Sequence, residues 1–582
     1  MTKQMKIEKL LEKIRNIPEG FSDIEEDKLY DSDGDLIESN NGPYGSDDYM
    51  FDSGDNDSDH EESSASDSEY ENILNIPKRK RNQQLSTSSE EEVEEDEIEL
   101  SADGTVWRKL NEGSSGGRLP LHNIFKDTPG PTGYAKRNIM KGSASSAFSL
   151  IIDRNIMEYI IKCTEAEAFR VFGKKWTLTE EKLKAFMAIV CARGAYEAKN
   201  LKLSYLWNKK WGPKFFADTM SRNDFTEILR FIRFDNKNSR SQRLQTDKFA
   251  LISKVWNKFI ENSQNCYKPG QNITVDEQLF ATKARCRFTQ YMPNKPNKFG
   301  IKFWLAADVQ SKYIINGFPY LGKDETRSSS TSLSEFVALK LMEPYTMKGR
   351  TVITDNFFTS VSLASKLLAK RTTLVGTIRS NKRELPKFVK IKKDNMQCYS
   401  TLLYKANDFI LTIYKSKPQK KVLVLSSKHK SVQINKNKKL LPETITFYNK
   451  NKCGVDSSDQ MARKYSTKSG SRRWPLQVFF NILDLAIINA WILYKKTTAI
   501  NIARKDFMFQ LADELAADFV KSRSQIERHN QQPLDESTNT RKQCQTGFCN
   551  KNKTTLMCDK CKRYVCGKCI SVKKIICKRC EE

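Results

Sequence analysis

Long apolar runs are missing from this chain of 582 residues. Its most apolar stretch, residues 478–494, is interrupted by Asn481, Asp484 and Asn489. A membrane span needs about 20 mostly apolar residues, so an integral membrane protein is excluded and no membrane partner is expected. Residues 1–20 (MTKQMKIEKLLEKIRNIPEG) lack the apolar core of a signal peptide, so secretion is not expected. Cysteine is sparse over most of the length: of 14, eight fall between Cys544 and Cys580. A small disulfide scaffold is excluded, because such chains are short and cysteine-dense throughout. Length alone predicts about three or four domains.

Charge is plentiful but uneven. Lys and Arg total 98 against 71 Asp and Glu, a net of +27. Residues 1–100 hold 30 acidic and 10 basic side chains, a net of −20, which leaves +47 for residues 101–582. An excess of that size favours a polyanionic partner, since neutralising phosphates releases condensed counterions. The alternative, a merely soluble basic surface, explains it less well than nucleic acid does.

Residues 1–119 read as a disordered acidic region, because segments such as SDSDHEESSASDSEYEN cannot bury enough apolar surface to offset chain entropy. Ser66, Ser68 and Ser89 precede acids and suit acidophilic kinases. Lys78-Arg79-Lys80-Arg81 reads as a nuclear-import signal or as an incidental charge run. The acidic tail is also a candidate to fold back on the basic body and compete with DNA. Thr177 with Glu180 resembles a capping box ahead of Leu183, Phe186, Met187, Val190 and Cys191, with Gly194 ending the pattern. Ser221 starts another helix with Phe225, Ile228, Leu229 and Ile232 on one face, and a third carries Ile252, Val255, Trp256 and Phe259. Residues 272–276, 299–309 and 350–355 read as strands, 334–341 and 362–369 as helices between them, 398–426 as further strands, and 455–494 as helical again. The expected class is α plus α/β, in several domains.

Asp276 closes the run ITVD and Asp355 the run VITD, so both should project from the carboxyl ends of buried strands, where open α/β sheets bind ligands. Asp456 and Asp459, three residues apart, share a face if they begin a helix. The chemistry served by such acids is phosphodiester hydrolysis or transfer with two divalent cations, Mg²⁺ or Mn²⁺, about 4 Å apart. Each acid alone is equally a turn former or a helix cap.

The chain resembles piggyBac-type transposases over roughly residues 120–580. The residues that carry the likeness are Met220-Ser221-Arg222, Phe234-Asp235-Asn236, Val275-Asp276-Glu277, the run 291–296 (YMPNKP), Gly300-Ile301-Lys302, the run 354–360 (TDNFFTS), Gly376-Thr377-Ile378-Arg379, Gly454-Val455-Asp456 through Asp459-Gln460, and Arg473-Trp474-Pro475. The resemblance implies a retroviral-integrase-like RNase H fold with catalytic Asp276, Asp355 and Asp456 and a required fourth acid, Asp459. It implies a helical dimerisation and DNA-binding domain split into 120–268 and 461–535, a catalytic domain in 269–381 and 441–460, and a β-rich insertion at 382–440. Trp474 is implied to stack at the DNA end; packing in the core is the other reading of that residue. Arg472, Arg473, Lys295, Lys298 and Arg379 are further expected DNA contacts. Cys453 stands where many relatives have Gly or a polar residue.

The cysteines of residues 541–582 follow C-x4-C-x8-C-x2-C-x4-C-x2-C-x7-C-x2-C, a pattern of zinc sites. Eight ligands make two tetrahedral Zn²⁺ sites. A cross-brace pairs Cys544, Cys549, Cys566 and Cys569, and separately Cys558, Cys561, Cys577 and Cys580; a sequential arrangement is the alternative. This segment resembles the family's cysteine-rich domain, which helps recognise transposon-end DNA. With 12 basic and 3 acidic side chains it stays positive even after eight thiolates bind two zinc ions.

Together these expectations describe a nuclear, homodimeric DNA transposase working by cut and paste. The resemblance implies metal-dependent nicking at terminal inverted repeats, hairpin formation, and strand transfer into TTAA targets. Two rivals stand beside it: a domesticated, non-catalytic DNA-binding protein, and a RING- or PHD-like ubiquitin ligase or chromatin reader acting through the C-terminal module.

Overall fold

The structure, a computed structural model, describes residues 98–114, 124–293, 295, 297–322, 327–391, 395–436, 439–531, 541–546, 549, 552–558 and 561–569. Ser66, Ser68, Ser89, the 78–81 basic island, Cys577 and Cys580 lie outside the described residues. Two compact units divide the chain, the first ending at Leu515 and the second beginning at Ala516.

Helices build the part before the sheet: α1 (Ala144–Ile151), α2 (Arg154–Phe172), α3 (Glu180–Ala195), α4 (Arg222–Phe231) and α5 (Ser253–Cys266). Their starts follow capping chemistry. Asp153 accepts the Ile156 N–H at 3.0 Å and Ser221 that of Asp224 at 3.0 Å. At α3 the cap is Thr179, which accepts the Lys182 N–H at 3.2 Å, and not Thr177. Gly194 does not end that helix either. It lies within α3, where an added Cβ would sit 3.0 Å from the Tyr465 carbonyl, so glycine serves a close backbone approach.

One mixed sheet of 11 strands follows. Its members are β1 (Ile98–Leu100), β2 (Val106–Leu110), β3 (Asn272–Ala281), β4 (Thr289–Tyr291), β5 (Phe299–Asp308), β6 (Ile314–Pro319), β7 (Thr351–Thr354), β8 (Thr373–Thr377), β9 (Thr401–Ala406), β10 (Phe409–Lys417) and β11 (Lys420–Ser426). The order is β1-β2-β9-β10-β11-β8-β7-β3-β5-β4, with β6 also pairing β5. The β3, β7 and β8 strands run parallel; β5 is antiparallel to β3. Crossovers that put parallel strands side by side need helices, here α6 (Leu333–Met342) and α7 (Val361–Ala369).

The β1–β2 hairpin differs from the expectation of disorder through residue 119. It pairs with β9, and Trp107 is fully buried with its indole N–H donating to the Glu384 carbonyl at 2.9 Å. One large ring and a ready strand edge suffice to order a short segment beside an acidic run.

Helices α8 (Glu443–Asn451), α9 (Gly454–Lys464), α10 (Trp474–Thr498) and α11 (Arg504–Gln531) follow the sheet. By length and apolarity α10 resembles a membrane span, yet it is buried inside the fold. Its three polar interruptions are accommodated by hydrogen bonds to neighbouring elements. Asn481 donates to Gln278 Oε1 of β3 at 2.9 Å; Asp484 accepts from Ser466 Oγ at 2.6 Å and Thr467 N at 2.7 Å; Asn489 accepts the Ile314 N–H of β6 at 2.9 Å. Each of the three side chains makes at least one of these hydrogen bonds, which offsets its burial.

Candidate active site and metal centre

The β3–β7 register builds the acidic centre. Val275 is aligned with Thr354 on parallel strands. The next residue of each is an aspartate, so Asp276 and Asp355 face each other across one strand spacing of about 4.8 Å. Asp355 leaves the end of β7 as expected, and its carboxylate accepts the Phe357 N–H at 3.0 Å, which fixes the exit turn. Asp276 departs from expectation: it lies in the middle of β3, whose pairing with β5 continues to Ala281.

Helix α9 brings the remaining two acids. It presses on β3 at Gly454, where a Cβ would come 2.6 Å from Thr274 Oγ1. Asp456 stands in its first turn, exposed, and Asp459 is buried one turn later. Asp459 accepts from Gln278 Nε2 at 3.0 Å and from the Arg463 guanidinium. Gln278 in turn accepts from Asn481. Because residues two apart on a strand share a face, this chain of hydrogen bonds seats α9 on the face of β3 that carries Asp276.

Electrostatics bear out the proximity. Burial pushes the Asp276 carboxyl up to about 8, with the charges of Glu277, Asp355 and Asp456 adding to it, while the Glu277 N–H opposes. Burial also raises Asp355; the Phe357 N–H and the Arg379 charge pull the other way. A carboxylate whose ionisation its neighbours oppose is one that a divalent cation would favour. The donor set, all oxygen, fits a hard cation. Among the described residues, however, the three aspartates do not form a set whose ligand atoms all lie within 4.8 Å of one another.

Two residues of the site had no assigned role in the sequence reading. Glu277, next to Asp276, holds Lys295 and Lys302, each at 3.8 Å. The Lys302 ammonium lies 3.8 Å from the Trp304 ring centroid and 5.4 Å from that of Phe357. A cation–π seat of this kind fixes the lysine beside the acids. Glu277 was legible as the residue after Asp276, and Lys302 within the Gly300-Ile301-Lys302 motif; only the strand register joins them.

The expected DNA contacts are placed variously. Lys298, Arg379 and Arg472 are exposed, and Arg379 donates to Asn356 Oδ1 at 3.2 Å. The Arg473 side chain is instead buried on the carboxyl end of α4, donating to the carbonyls of Leu229, Arg230 and Ile232. Those are the carbonyls a helix end leaves without intrahelical partners. Trp474, 7 % exposed, stacks on Phe249 with centroids 5.6 Å apart and meets Phe288 edge-on at 5.0 Å. These contacts match the packing alternative given for Trp474 and place Arg473 at a helix end.

In the second unit, Cys544, Cys549, Cys566 and Cys569 bring their sulfurs within 4.8 Å of one another. That grouping matches one half of the cross-brace and does not occur in the sequential alternative. Asn552 Nδ2 donates to Cys566 Sγ at 3.5 Å and to Cys549 Sγ at 3.7 Å, and the Cys566 N–H points to Cys544 Sγ at 3.3 Å. The Asn552 amide lowers the Cys566 thiol to about 6, which favours the thiolate that binds metal. Four thiols in this arrangement fit a tetrahedral soft-metal site. Cys558 and Cys561 pack beside Val565.

Comparisons with known proteins give the family. The family profile described as Transposase IS4 matches residues 143–491. PiggyBac transposable element-derived protein 3 of Homo sapiens is 24% identical over 461 residues, covering 72% of this chain and 74% of the relative. PiggyBac transposable element-derived protein 5 of Homo sapiens is 23% identical over 417 residues, covering 65% and 75%. Among solved structures, the cryo-EM structure of a piggyBac transposase synaptic complex with hairpin DNA is similar with a TM-score of 0.65 at 30% identity, covering 78% of this chain and 100% of that chain. With a profile match across more than half its length and a solved relative of this identity and coverage, the chain belongs to the piggyBac-type transposase family.

Proposed function

We propose that this protein is a catalytically active cut-and-paste transposase, in which Asp276, Asp355 and Asp456 hold divalent cations, Mg²⁺ or Mn²⁺, and cleave DNA at transposon ends. The observation that carries the reading is the adjacency of Asp276 and Asp355 on parallel strands, with Asp456 near enough to oppose ionisation of Asp276. The order β6-β5-β3-β7-β8, parallel in β3, β7 and β8, supports an RNase H-like catalytic core. The β9–β11 strands, extended by the β1–β2 hairpin, correspond to the β-rich insertion.

The metals would activate the attacking oxygen and stabilise the leaving one. The chain's own residues set the stage. Asp276 and Asp355 are held by a strand pair that cannot slip without turning every side chain to the other face. Asp459, through Gln278, seats the helix that presents Asp456. Lys302 and Lys295, held by Glu277, supply positive charge where the scissile strand's phosphates would come.

Family membership supports the later steps: hairpin formation, reopening, and strand transfer into TTAA. DNA as partner is supported by the +47 charge of residues 101–582 and by the hairpin DNA bound to the similar piggyBac structure. A homodimer suits a reaction on paired ends, the basic island at 78–81 suits nuclear import, and the four-cysteine cluster suits zinc.

The direct test is Asp355→Asn with a duplex carrying the transposon end. The variant should bind the duplex as the wild type does and show no Mg²⁺-dependent nicking. Persisting cleavage would contradict the assignment, and would leave a DNA-binding protein whose chemistry, if any, lies elsewhere.

A further inference from the structure

The row that joins Asp276 to Asp355 continues onto a third strand. Gly376 of β8 is aligned with Thr354 of β7, so the next residues are Thr377 and Asp355, again one strand spacing of about 4.8 Å apart. Thr377 thereby flanks Asp355 on the side away from Asp276. The approach of the two strands is held closely. Gly376 lies against the exit turn of β7, where a Cβ would come 2.3 Å from Thr359 Oγ1 and 2.6 Å from Thr354 Oγ1. Thr359 Oγ1 in turn donates to the Asp355 carbonyl at 2.8 Å. Asp276, Asp355 and Thr377 are each partly exposed, so the row is open to a ligand.

Helix α8 brings a phenol to the end of this row. Tyr448 packs with Ile353 and Val375, and residues two apart on a strand share a face, so Asp355 and Thr377 lie on the face that α8 covers. Thr274, two residues before Asp276, donates to the Asn451 carbonyl of the same helix at 3.0 Å, which puts Asp276 on that face too. The Tyr448 ring is buried, and its hydroxyl lies 3.3 Å from Thr377 Oγ1. Two hydroxyls carry two protons; their mutual hydrogen bond uses one and leaves the other to be donated. Burial raises the phenol above its ordinary value, the Thr377 hydroxyl opposes, and the charges of Asp355 and Asp276 add to the rise, so the phenol keeps its proton. Packing alone would be served by phenylalanine; the hydroxyl is what reaches the row of acids.

We propose that Tyr448 is a further catalytic residue, positioned by Thr377, and that this hydroxyl pair donates a hydrogen bond to a non-bridging oxygen of the scissile phosphate. The proposal rests on the transposase reading and adds to it a neutral donor beside the acids. A phosphodiester has two non-bridging oxygens. One turned towards the Asp276–Asp355 pair leaves the other for the next position along the row. A fixed donor there gains strength as negative charge builds on that oxygen in the transition state, and it needs no rearrangement when the reaction occurs. The phenol makes and breaks no covalent bond.

The test uses the full chain and the end duplex with a single Rp or Sp phosphorothioate at the scissile position, cleaved in a single turnover in Mg²⁺ or Mn²⁺. Sulfur accepts a hydrogen bond poorly but binds Mn²⁺ better than Mg²⁺, so Mn²⁺ rescues a metal-bound position and not a hydrogen-bonded one. The wild type should be slowed by one diastereomer in a way that Mn²⁺ does not rescue. Tyr448→Phe should cleave the all-oxygen end roughly 100-fold more slowly and lose that diastereomer's extra slowing. Its affinity for the end duplex in chelator and its melting temperature should stay near those of the wild type. Thr377→Val should cost about 3- to 10-fold in rate, the scale of one neutral hydrogen bond, and Thr377→Ser should restore it. An unchanged rate in Tyr448→Phe, or a slowed one that keeps both sulfur effects of the wild type, makes Tyr448 a packing residue and overturns this proposal alone. So does a wild type in which Mn²⁺ rescues both diastereomers. If Tyr448→Phe melts early, Thr377→Val with the same duplexes decides, and sulfur effects unchanged there overturn the proposal. A wild-type chain that does not cleave the all-oxygen end overturns the transposase reading and this proposal with it.

Discussion

Asp276 and Asp355 are the residues that follow the aligned pair Val275 and Thr354 on two parallel strands. They stand far apart along the chain, yet a single strand spacing joins them. Burial, together with the charges of Glu277, Asp355 and Asp456, opposes ionisation of Asp276, so folding without metal works against that carboxylate. Asp276→Asn should therefore stabilise the protein in chelator, by about 1–3 kcal/mol. Added Mg²⁺ should raise the melting temperature of the wild type and leave that of the variant nearly unmoved, because only the wild type gains a ligand that prefers the folded state. Thermal melts with and without metal check both.

The Asp459–Gln278–Asn481 chain of hydrogen bonds predicts a separable effect on catalysis. Gln278→Leu removes the donor to buried Asp459 and the acceptor of Asn481. It should cost about 1–3 kcal/mol of stability, the scale of leaving buried polar groups without partners. End cleavage should fall while DNA affinity is kept, since the clamp sets the position of α9 and does not itself face DNA. Denaturant titration, nicking rates and binding isotherms separate the three.

His429 gives a pH dependence. It is buried, with Nδ1 at 2.7 Å from Ser426 Oγ, and burial together with the charge of Lys428 lowers its pKa to about 4 from 6.5. The folded state resists the proton that the unfolded chain accepts, so stability rises with pH across that window. The contribution is fully present above 6.5 and is lost as pH falls from 6.5 towards 4; below that both states are protonated. The gap corresponds to roughly 3 kcal/mol at most. Urea midpoints at pH 7 and pH 5 should drop less for His429→Gln than for the wild type.

The cysteine cluster makes a stoichiometric prediction. Cys544→Ser and Cys566→Ser should each release the same single metal ion, although the two sulfurs lie far apart in sequence. Asn552→Ala should weaken metal affinity by about tenfold, as expected for the loss of a hydrogen bond to ligating sulfurs. Metal analysis and competition with a chromophoric chelator check this. Under the sequential pairing, the two serine variants would release different ions.

The sequence made much of this visible. The β-branched runs that end at Asp276 and Asp355 lie in strands, Ser221 caps its helix, and the cysteine spacing admitted the observed foursome. What escaped reading depends on pairing across long separations. Nothing in DEQLFA says that β3 continues past Asp276; the partner strand β5 decides it. The β1–β2 hairpin is ordered by β9, distant along the chain, against the composition of its own neighbourhood. For Trp474 the sequence offered both a DNA contact and core packing; its neighbours Phe249 and Phe288, like the α4 carbonyls beside Arg473, come together only in three dimensions. Gln278 carries no motif signal at all; its part in seating α9 follows from sharing a face with Asp276.

The central claim is that Asp276, Asp355 and Asp456 hold divalent metal for DNA cleavage. Crystals of the protein with an end duplex, soaked in Mn²⁺ and measured at the manganese absorption edge, test it most directly. The account predicts anomalous density between Asp276 and Asp355, with Asp456 completing the site, and its disappearance in Asp355→Asn. Density absent there in the wild type, with Mn²⁺ bound elsewhere, would contradict it.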